Sequence, residues 1–259
     1  MTAPKLLAGA LLLLSSFSAF GQARRLRDEN SVGWYVYEGD HSLGPRWTVH
    51  TEYQWRRTGF IQDWQQSLAR LGAGYQLRPR VKLGGGYTHL TTHVYGAYPT
   101  AETGSPFPEH RAYEDVSLSD TLGRLTLDHR VRLEQRWIGQ LADGRGRAVQ
   151  SWEYQSRVRY QLAATLPLRG PRVEAGEWYL TAFDELFISF GRNVGASVFN
   201  QNRIAGGLGY QVQDNFRLEL QYLNQITQHA APEPVSGLPV FEFNHGFRFG
   251  VSYDLTLVK

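Results

Sequence analysis

Alternation of polar and apolar residues runs through most of the chain after residue 32. In the segment 124–137 every second residue is polar or charged, and the residues between them are mostly apolar. Side chains of a β-strand point alternately to opposite faces, so a period of two predicts a strand with one charged and one apolar face. Strands of soluble sandwiches are usually about 5–6 residues long, whereas the segment 151–166 is about three times that length. Long strands of this kind are typical of a barrel that spans a membrane.

Eleven alternating segments can be marked along the chain. They are 32–39, 46–57, 63–77, 80–93, 109–121, 124–137, 151–166, 177–190, 201–212, 215–228 and 243–257. Short turns join some of them, at 78–80, 122–123 and 213–215, and long connections join others, at 94–108, 138–150, 191–200 and 229–242. Short turns at one end and long loops at the other predict an all-β fold, a single transmembrane antiparallel up-and-down β-barrel.

The strand number is predicted as about 10–12. Bacterial single-chain barrels that close antiparallel have an even number of strands, which eleven segments do not satisfy. Either 46–57 pairs with 243–257 to close ten strands, or a strand is hidden and there are twelve. In the ten-stranded alternative, 32–39 is an accessory strand or an element inside the lumen.

The N-terminus predicts export. Lys5 precedes an apolar run over 6–14, and Ala19-Phe20-Gly21 resembles a cleavage site for signal peptidase. The run is too short for an anchor helix, which needs roughly 20 apolar residues. We therefore divide the chain into a signal peptide at 1–21, a short tail at 22–31 that holds the cluster Arg24-Arg25-Leu26-Arg27, and a barrel domain at 32–259.

Composition supports the outer membrane of a Gram-negative bacterium as the location. The mean hydropathy is −0.40 and no later segment resembles a transmembrane helix, so a membrane location requires strands. The absence of Cys excludes structural disulfides and a lipid-modified N-terminal Cys. Seven Trp lie near segment ends, where an interfacial aromatic girdle places them; they are Trp34, Trp47, Trp55, Trp64, Trp137, Trp152 and Trp178.

Charged residues on the polar faces of consecutive strands predict a belt inside the lumen. Its members are Arg111, Arg130, Arg132, Glu134, Arg136, Arg157, Arg159, Glu185, Arg203 and Glu219. In a narrow barrel these side chains would form a paired ladder that fills the lumen. Because arginines outnumber carboxylates, a narrow porin-like passage for small anionic solutes is the other reading. Glu185 is expected to pair with Arg157 or Arg159 before it and with Arg203 after it.

An enzyme is the less favoured alternative. It would be a hydrolase at the extracellular rim, acting on lipid or surface glycan, with His89, His93 and His110 as candidate residues. No serine lies in a recognisable nucleophile motif, so no catalytic residue is predicted. No metal site and no cofactor are predicted either. The lysines and arginines form no surface tract, so nucleic acid is not an expected partner.

Several short motifs, taken in order, resemble a known family. They include 34–37 (WYVY), 107–111 (FPEHR), 129–137 (HRVRLEQRW), 184–187 (DELF), 201–203 (QNR), 207–210 (GLGY) and 218–225 (LELQYLNQ). This set resembles the family of domain of unknown function 2490, over about residues 33–257. The resemblance implies an outer-membrane barrel of Gram-negative, chiefly Bacteroidetes-type bacteria, with no assigned activity and no catalytic residue to transfer.

The expected partners follow from this placement. They are outer-membrane lipid and, during insertion, the barrel assembly machinery; the barrel is expected to be a monomer. The C-terminus ends in Val258-Lys259 rather than in an aromatic residue, although Phe247, Phe249 and Tyr253 alternate in the last segment.

Overall fold

Eleven β-strands form one closed sheet in the part of the chain that the structure describes. The computed structural model describes residues 24–100, 104–142, 148–195 and 197–258, and the predicted signal peptide lies outside these ranges. The strands are β1 (Leu26–Ser42), β2 (Trp47–Thr58), β3 (Asp63–Arg78), β4 (Val81–Thr92), β5 (Phe107–Leu122), β6 (Leu125–Leu141), β7 (Val149–Pro167), β8 (Glu177–Phe190), β9 (Phe199–Gln213), β10 (Phe216–Gln228) and β11 (Val240–Tyr253). The alternating pattern thus predicted the all-β class and the strands themselves.

The closing pair is parallel, which the sequence did not predict. Each strand pairs antiparallel with its neighbour in the chain, and β1 then pairs parallel with β11, from Leu26 opposite Val240 to Glu38 opposite Ser252. The predicted all-β barrel of about 10–12 strands is confirmed with eleven strands, but the expected antiparallel closure with an even number of strands is wrong. The segment 32–39 is part of the wall, because β1 pairs on one edge with β2 and on the other with β11.

The first strand begins within the stretch assigned to a tail. β1 starts at Leu26, where Leu26 and Arg27 lie opposite Val240 and Phe241 of β11. The guanidinium of Arg25 lies 5.2 Å from the centre of the Phe241 ring. Part of the basic cluster is therefore fixed to the wall of the barrel.

The two ends of the barrel differ. At the turn end the connections are 43–46, 79–80, 123–124, 168–176 and 214–215; at the loop end they are 59–62, 93–106, 142–148, 191–198 and 229–239. The start of β1 lies at the loop end and the end of β11 at the turn end, because these two strands run in the same direction.

The interior and the exterior have opposite chemistry. Buried side chains inside the barrel are largely polar or charged, whereas large apolar side chains on the outward face, such as Leu71, Leu208 and Leu220, are exposed. Trp34 is an exception among the predicted girdle residues, because it is buried inside the lumen with Val32, Ala205 and Leu223. No helix among the residues described is long and apolar enough to cross a membrane.

Candidate functional site: the charged lumen

Glu185 is the centre of the predicted belt. Its Oε1 accepts a hydrogen bond from Nη2 of Arg159 at 2.5 Å, and its Oε2 lies 3.3 Å from Nη1 of Arg203. The predicted pairing with Arg159 and Arg203 is thus confirmed. Arg130 also contributes Nη2 at 3.3 Å, although it belongs to β6, two strands away from β8. Three guanidinium groups therefore share one carboxylate that is 1% exposed.

Glu134 extends the network to the neighbouring strands. Nη2 of Arg157 lies 2.5 Å from Glu134 Oε2, and Nη1 of Arg159 lies 2.7 Å from Oε1. Arg159 therefore bridges Glu134 and Glu185, so the two clusters form one continuous ladder. Each charge-assisted pair in this geometry is stronger than a neutral hydrogen bond.

Further carboxylates hold the other belt arginines. Glu109 accepts from Nε of Arg111 at 2.6 Å and from Nε of Arg136 at 2.5 Å. The predicted belt omits Glu109, although Glu109, Arg111 and Tyr113 share one face of β5. Asp115 pairs with Nη2 of Arg132 at 2.5 Å.

Glu219 lies nearer the turn end of the lumen. It accepts from Nη1 of Arg248 at 3.3 Å and from the Tyr179 hydroxyl at 3.1 Å. It has no direct bond to the ladder among the contacts that the structure describes. The predicted belt therefore consists of separate groups among the described contacts: the ladder around Glu134 and Glu185, the group around Glu109, the pair of Asp115 with Arg132, and Glu219 with Arg248.

Trp34 lies between two arginines in the middle of the barrel. The guanidinium carbon of Arg56 is 4.0 Å from a Trp34 ring centre and that of Arg203 is 4.7 Å away, distances typical of cation–π contacts. Arg56 donates only to the amide oxygens of Gln54 and Gln66. Within the described ranges no carboxylate lies within 4.0 Å of this buried cation.

Residues 95–98, in the connection between β4 and β5, lie against the loop end of the lumen. The backbone N–H groups of Ala97 and Tyr98 donate to the Asp28 carboxylate at 3.1 and 3.2 Å. Tyr95 donates its hydroxyl proton to Glu242 at 2.7 Å. Desolvation and the Glu242 carboxylate both raise the pKa of the Tyr95 phenol well above its ordinary value, so the phenol remains a donor.

Asp28 and Glu242 anchor this segment to the closing strand pair. They lie opposite each other on β1 and β11, and both are buried. Gly96 has φ +79°, and a Cβ at this position would overlap the Asp28 carboxylate. We call residues 95–98 the plug segment. The plug segment could not be predicted from the sequence, because its contacts join residues that are far apart in the chain.

The three histidines proposed for a rim enzyme face outward. His89 and His110 lie with ring centres 5.1 Å apart, and His110 also contacts Tyr87 and Trp152. His93 stacks on Trp64 at 5.2 Å. In the described part of the chain, none of these imidazoles bonds to a carboxylate or to a serine hydroxyl, so the geometry does not assemble a hydrolytic site.

Paired charges inside a closed sheet and apolar side chains outside it define a β-barrel protein with a charged lumen. The chain belongs to the family described as protein of unknown function (DUF2490), whose model matches residues 32–235. The match ends before β11, so it does not include the strand that closes the barrel. No curated protein and no solved structure gives a significant match to the chain.

Proposed function

We propose that this protein is an outer-membrane β-barrel whose lumen is closed by the arginine–carboxylate ladder and whose role is structural. The exposed apolar wall supports placement in lipid, where a barrel turns its apolar face outward. Aromatic pairs lie near both ends of the wall. Trp178 and Tyr210 have ring centres 4.8 Å apart near the turn end, and Trp137 and Tyr154 are 5.6 Å apart near the loop end.

The orientation follows from the unequal ends. Long loops of such barrels face the outside of the cell, so we place the loop end outward and the turn end in the periplasm. The turn end carries exposed arginines that suit a leaflet of anionic headgroups; they are Arg46, Arg78, Arg80, Arg124, Arg169 and Arg172. Insertion would use the barrel assembly machinery acting on β11, and the barrel would remain a monomer.

The proposal that the lumen is closed rests on one observation, the burial of two shared carboxylates. Glu134 and Glu185 are each 1% exposed and are shared by two and three arginines, respectively. An open passage at this level would leave these carboxylates accessible. A ladder of this kind fixes the distances between neighbouring strands, because Glu134 ties β6 to β7 and Glu185 ties β8 to β6, β7 and β9.

A second candidate function is a narrow passage for small anions. It is favoured by Arg56, a buried cation that contacts amides instead of a carboxylate. In this case the ladder would have to rearrange before a solute could pass.

Single-channel recording of the refolded mature protein in a planar bilayer, under a salt gradient, distinguishes the two roles. We expect no conductance steps from protein that migrates as a heat-modifiable barrel. Discrete steps with anion preference would contradict the closed lumen and support the passage. Steps that prefer cations would contradict both roles.

The outward face also allows a direct test of its contact with lipid. The Asp184 carboxylate, near the middle of β8, is exposed and accepts a hydrogen bond from Asn202 at 2.7 Å. A charged side chain on a lipid-facing wall costs up to about 2 kcal/mol for an acid. Asp184→Leu should therefore stabilise the protein by about 1–2 kcal/mol in liposomes.

The matched control is Asp120→Leu, because Asp120 is 56% exposed in its surface pair with Arg80 near the turn end. It should change stability by less than about 1 kcal/mol. Equilibrium urea unfolding in liposomes, followed by Trp fluorescence, measures both variants. A loss of stability in Asp184→Leu would show that this part of the wall does not face lipid.

A further inference from the structure

The outward face of β6 to β9 contains an apolar groove near the turn end. Ala164, Ala182 and Gly206 lie side by side in register on β7, β8 and β9 and form its floor. Leucines border it and give it a volume of about 380 Å³. These leucines are Leu125, Leu166, Leu180 and Leu208. The groove therefore arises because three neighbouring strands carry small residues at the same level of a wall that is otherwise bulky.

The position of the groove relative to the aromatic residues indicates its depth. Trp178 and Tyr210 are paired in register two residues nearer the turn end than Leu180 and Leu208. Since rings of this kind lie at the level of the headgroups, the groove begins just inside the hydrocarbon region. It ends towards the middle of the wall at Asp184, which is paired in register with Leu162 and Ile204.

Basic residues lie on the water side of the groove. Nη2 of Arg124 donates to the carbonyl of Pro167 at 2.7 Å, which places this guanidinium beside Leu125 and Leu166. Arg169 and Arg172 are exposed in the following turn. Glu174 is the acidic residue of that turn. The cations are thus next to the headgroup level and the apolar cleft is directly below it.

We propose that this groove binds one acyl chain of an anionic glycerophospholipid, whose phosphate lies against Arg124, Arg169 and Arg172. The proposal rests on the membrane placement and on the turn end facing the leaflet that contains glycerophospholipid. The groove supplies dispersion contacts to the chain, and the arginines supply charge-assisted hydrogen bonds to the phosphate. Gly206 has free space above it, since a Cβ there would meet its nearest atom at 3.6 Å.

Binding can be measured by native mass spectrometry of the mature protein, titrated with dioleoyl phosphatidylglycerol or dioleoyl phosphatidylcholine. The wild-type chain should retain one phosphatidylglycerol more tightly than phosphatidylcholine. Ala182→Leu with Gly206→Leu fills the groove and should weaken both lipids about tenfold, the loss expected from about two methylene contacts. Ala69→Leu, on the outward face of β3, is the matched control and should change nothing.

A second set of variants separates the headgroup from the chain. Replacing Arg124, Arg169 and Arg172 with Gln should remove the preference for phosphatidylglycerol, because phosphatidylcholine has the same phosphate but no net charge and should lose less affinity. Undiminished phosphatidylglycerol binding in the filled-groove variant would overturn the proposal. Tighter binding of lipid A, or a dimer that the filled groove dissociates, would also overturn it. Failure of wild-type protein to insert into liposomes would instead contradict the membrane placement.

Discussion

Glu185→Ala will lower the stability of the barrel by about 3–5 kcal/mol, because it leaves buried arginines without their shared carboxylate. Arg159 retains Glu134, but Arg130 and Arg203 lose the carboxylate that each contacts in the native structure. Their mutual repulsion in a confined lumen then has no compensation. We expect earlier loss of heat-modifiable migration on warming, together with leakage of small anions from liposomes.

Two further variants make this result interpretable. Asp120→Ala removes the carboxylate of an exposed pair and should cost less than about 1 kcal/mol. Glu185→Gln keeps the volume and one acceptor oxygen of the side chain but removes the charge, so its stability should fall between those of the wild type and Glu185→Ala. If Glu185→Ala has the melting temperature of the wild type and liposomes containing it retain small anions equally well, the ladder does not hold the barrel together.

Asp28→Asn will loosen the plug segment at the loop end. The carboxylate accepts two backbone N–H groups, and hydrogen bonds to a charged group contribute about 1.5–3 kcal/mol each. Neutralising it should raise the open population of the segment at least tenfold, since a factor of ten needs only about 1.4 kcal/mol. Gly96→Ala should act in the same direction, because its Cβ would displace the carboxylate and φ is positive there.

Opening of the plug segment can be followed by cysteine labelling, since the chain has no native Cys. Gln225→Cys introduces a thiol on a buried lumen face of β10, below the plug segment. A methanethiosulfonate reagent should label this thiol slowly in the parent chain and at least tenfold faster when Asp28→Asn is added. Glu233→Gln neutralises a half-buried carboxylate that accepts two backbone N–H groups within another loop at the same end, and it should leave the labelling rate unchanged. Equal rates in all three would show that residues 95–98 do not control access.

The alternation of polar and apolar residues predicted those features of the fold that depend on one strand at a time. Alternation identified the strands, the inward face of the belt and the pairing of Glu185, since each follows from side chains that alternate along a strand. The same rule also predicts that the Trp34 side chain points into the lumen, because Trp34 shares a face with Asp28, Asn30, Glu38 and Asp40. The inward face of β1 is hard to assign at this point, because both faces of the strand are apolar between Gly33 and Tyr37.

Contacts between distant parts of the chain could not be predicted in this way. The bond from Arg130 to Glu185 spans the lumen past an intervening strand, and its existence depends on the curvature of the closed sheet. Likewise, Asp28 meets Ala97 and Tyr98 only because a loop folds over the end of the barrel. The parallel pairing of β1 with β11 depends on which edges remain free once every hairpin has formed.

That parallel pairing also limits how the chain can be reconnected. In a barrel closed by antiparallel strands, the start of the first strand and the end of the last are neighbours, and a short linker permits circular permutation. Here these two points lie at opposite ends of strands that are roughly 40–60 Å long. A linker would have to run the full height of the wall, outside the barrel or through the charged lumen. A short head-to-tail linker therefore cannot cyclise or permute this barrel, whereas splitting the chain into two fragments within the turns at 79–80 or 214–215 would leave the closing pair intact.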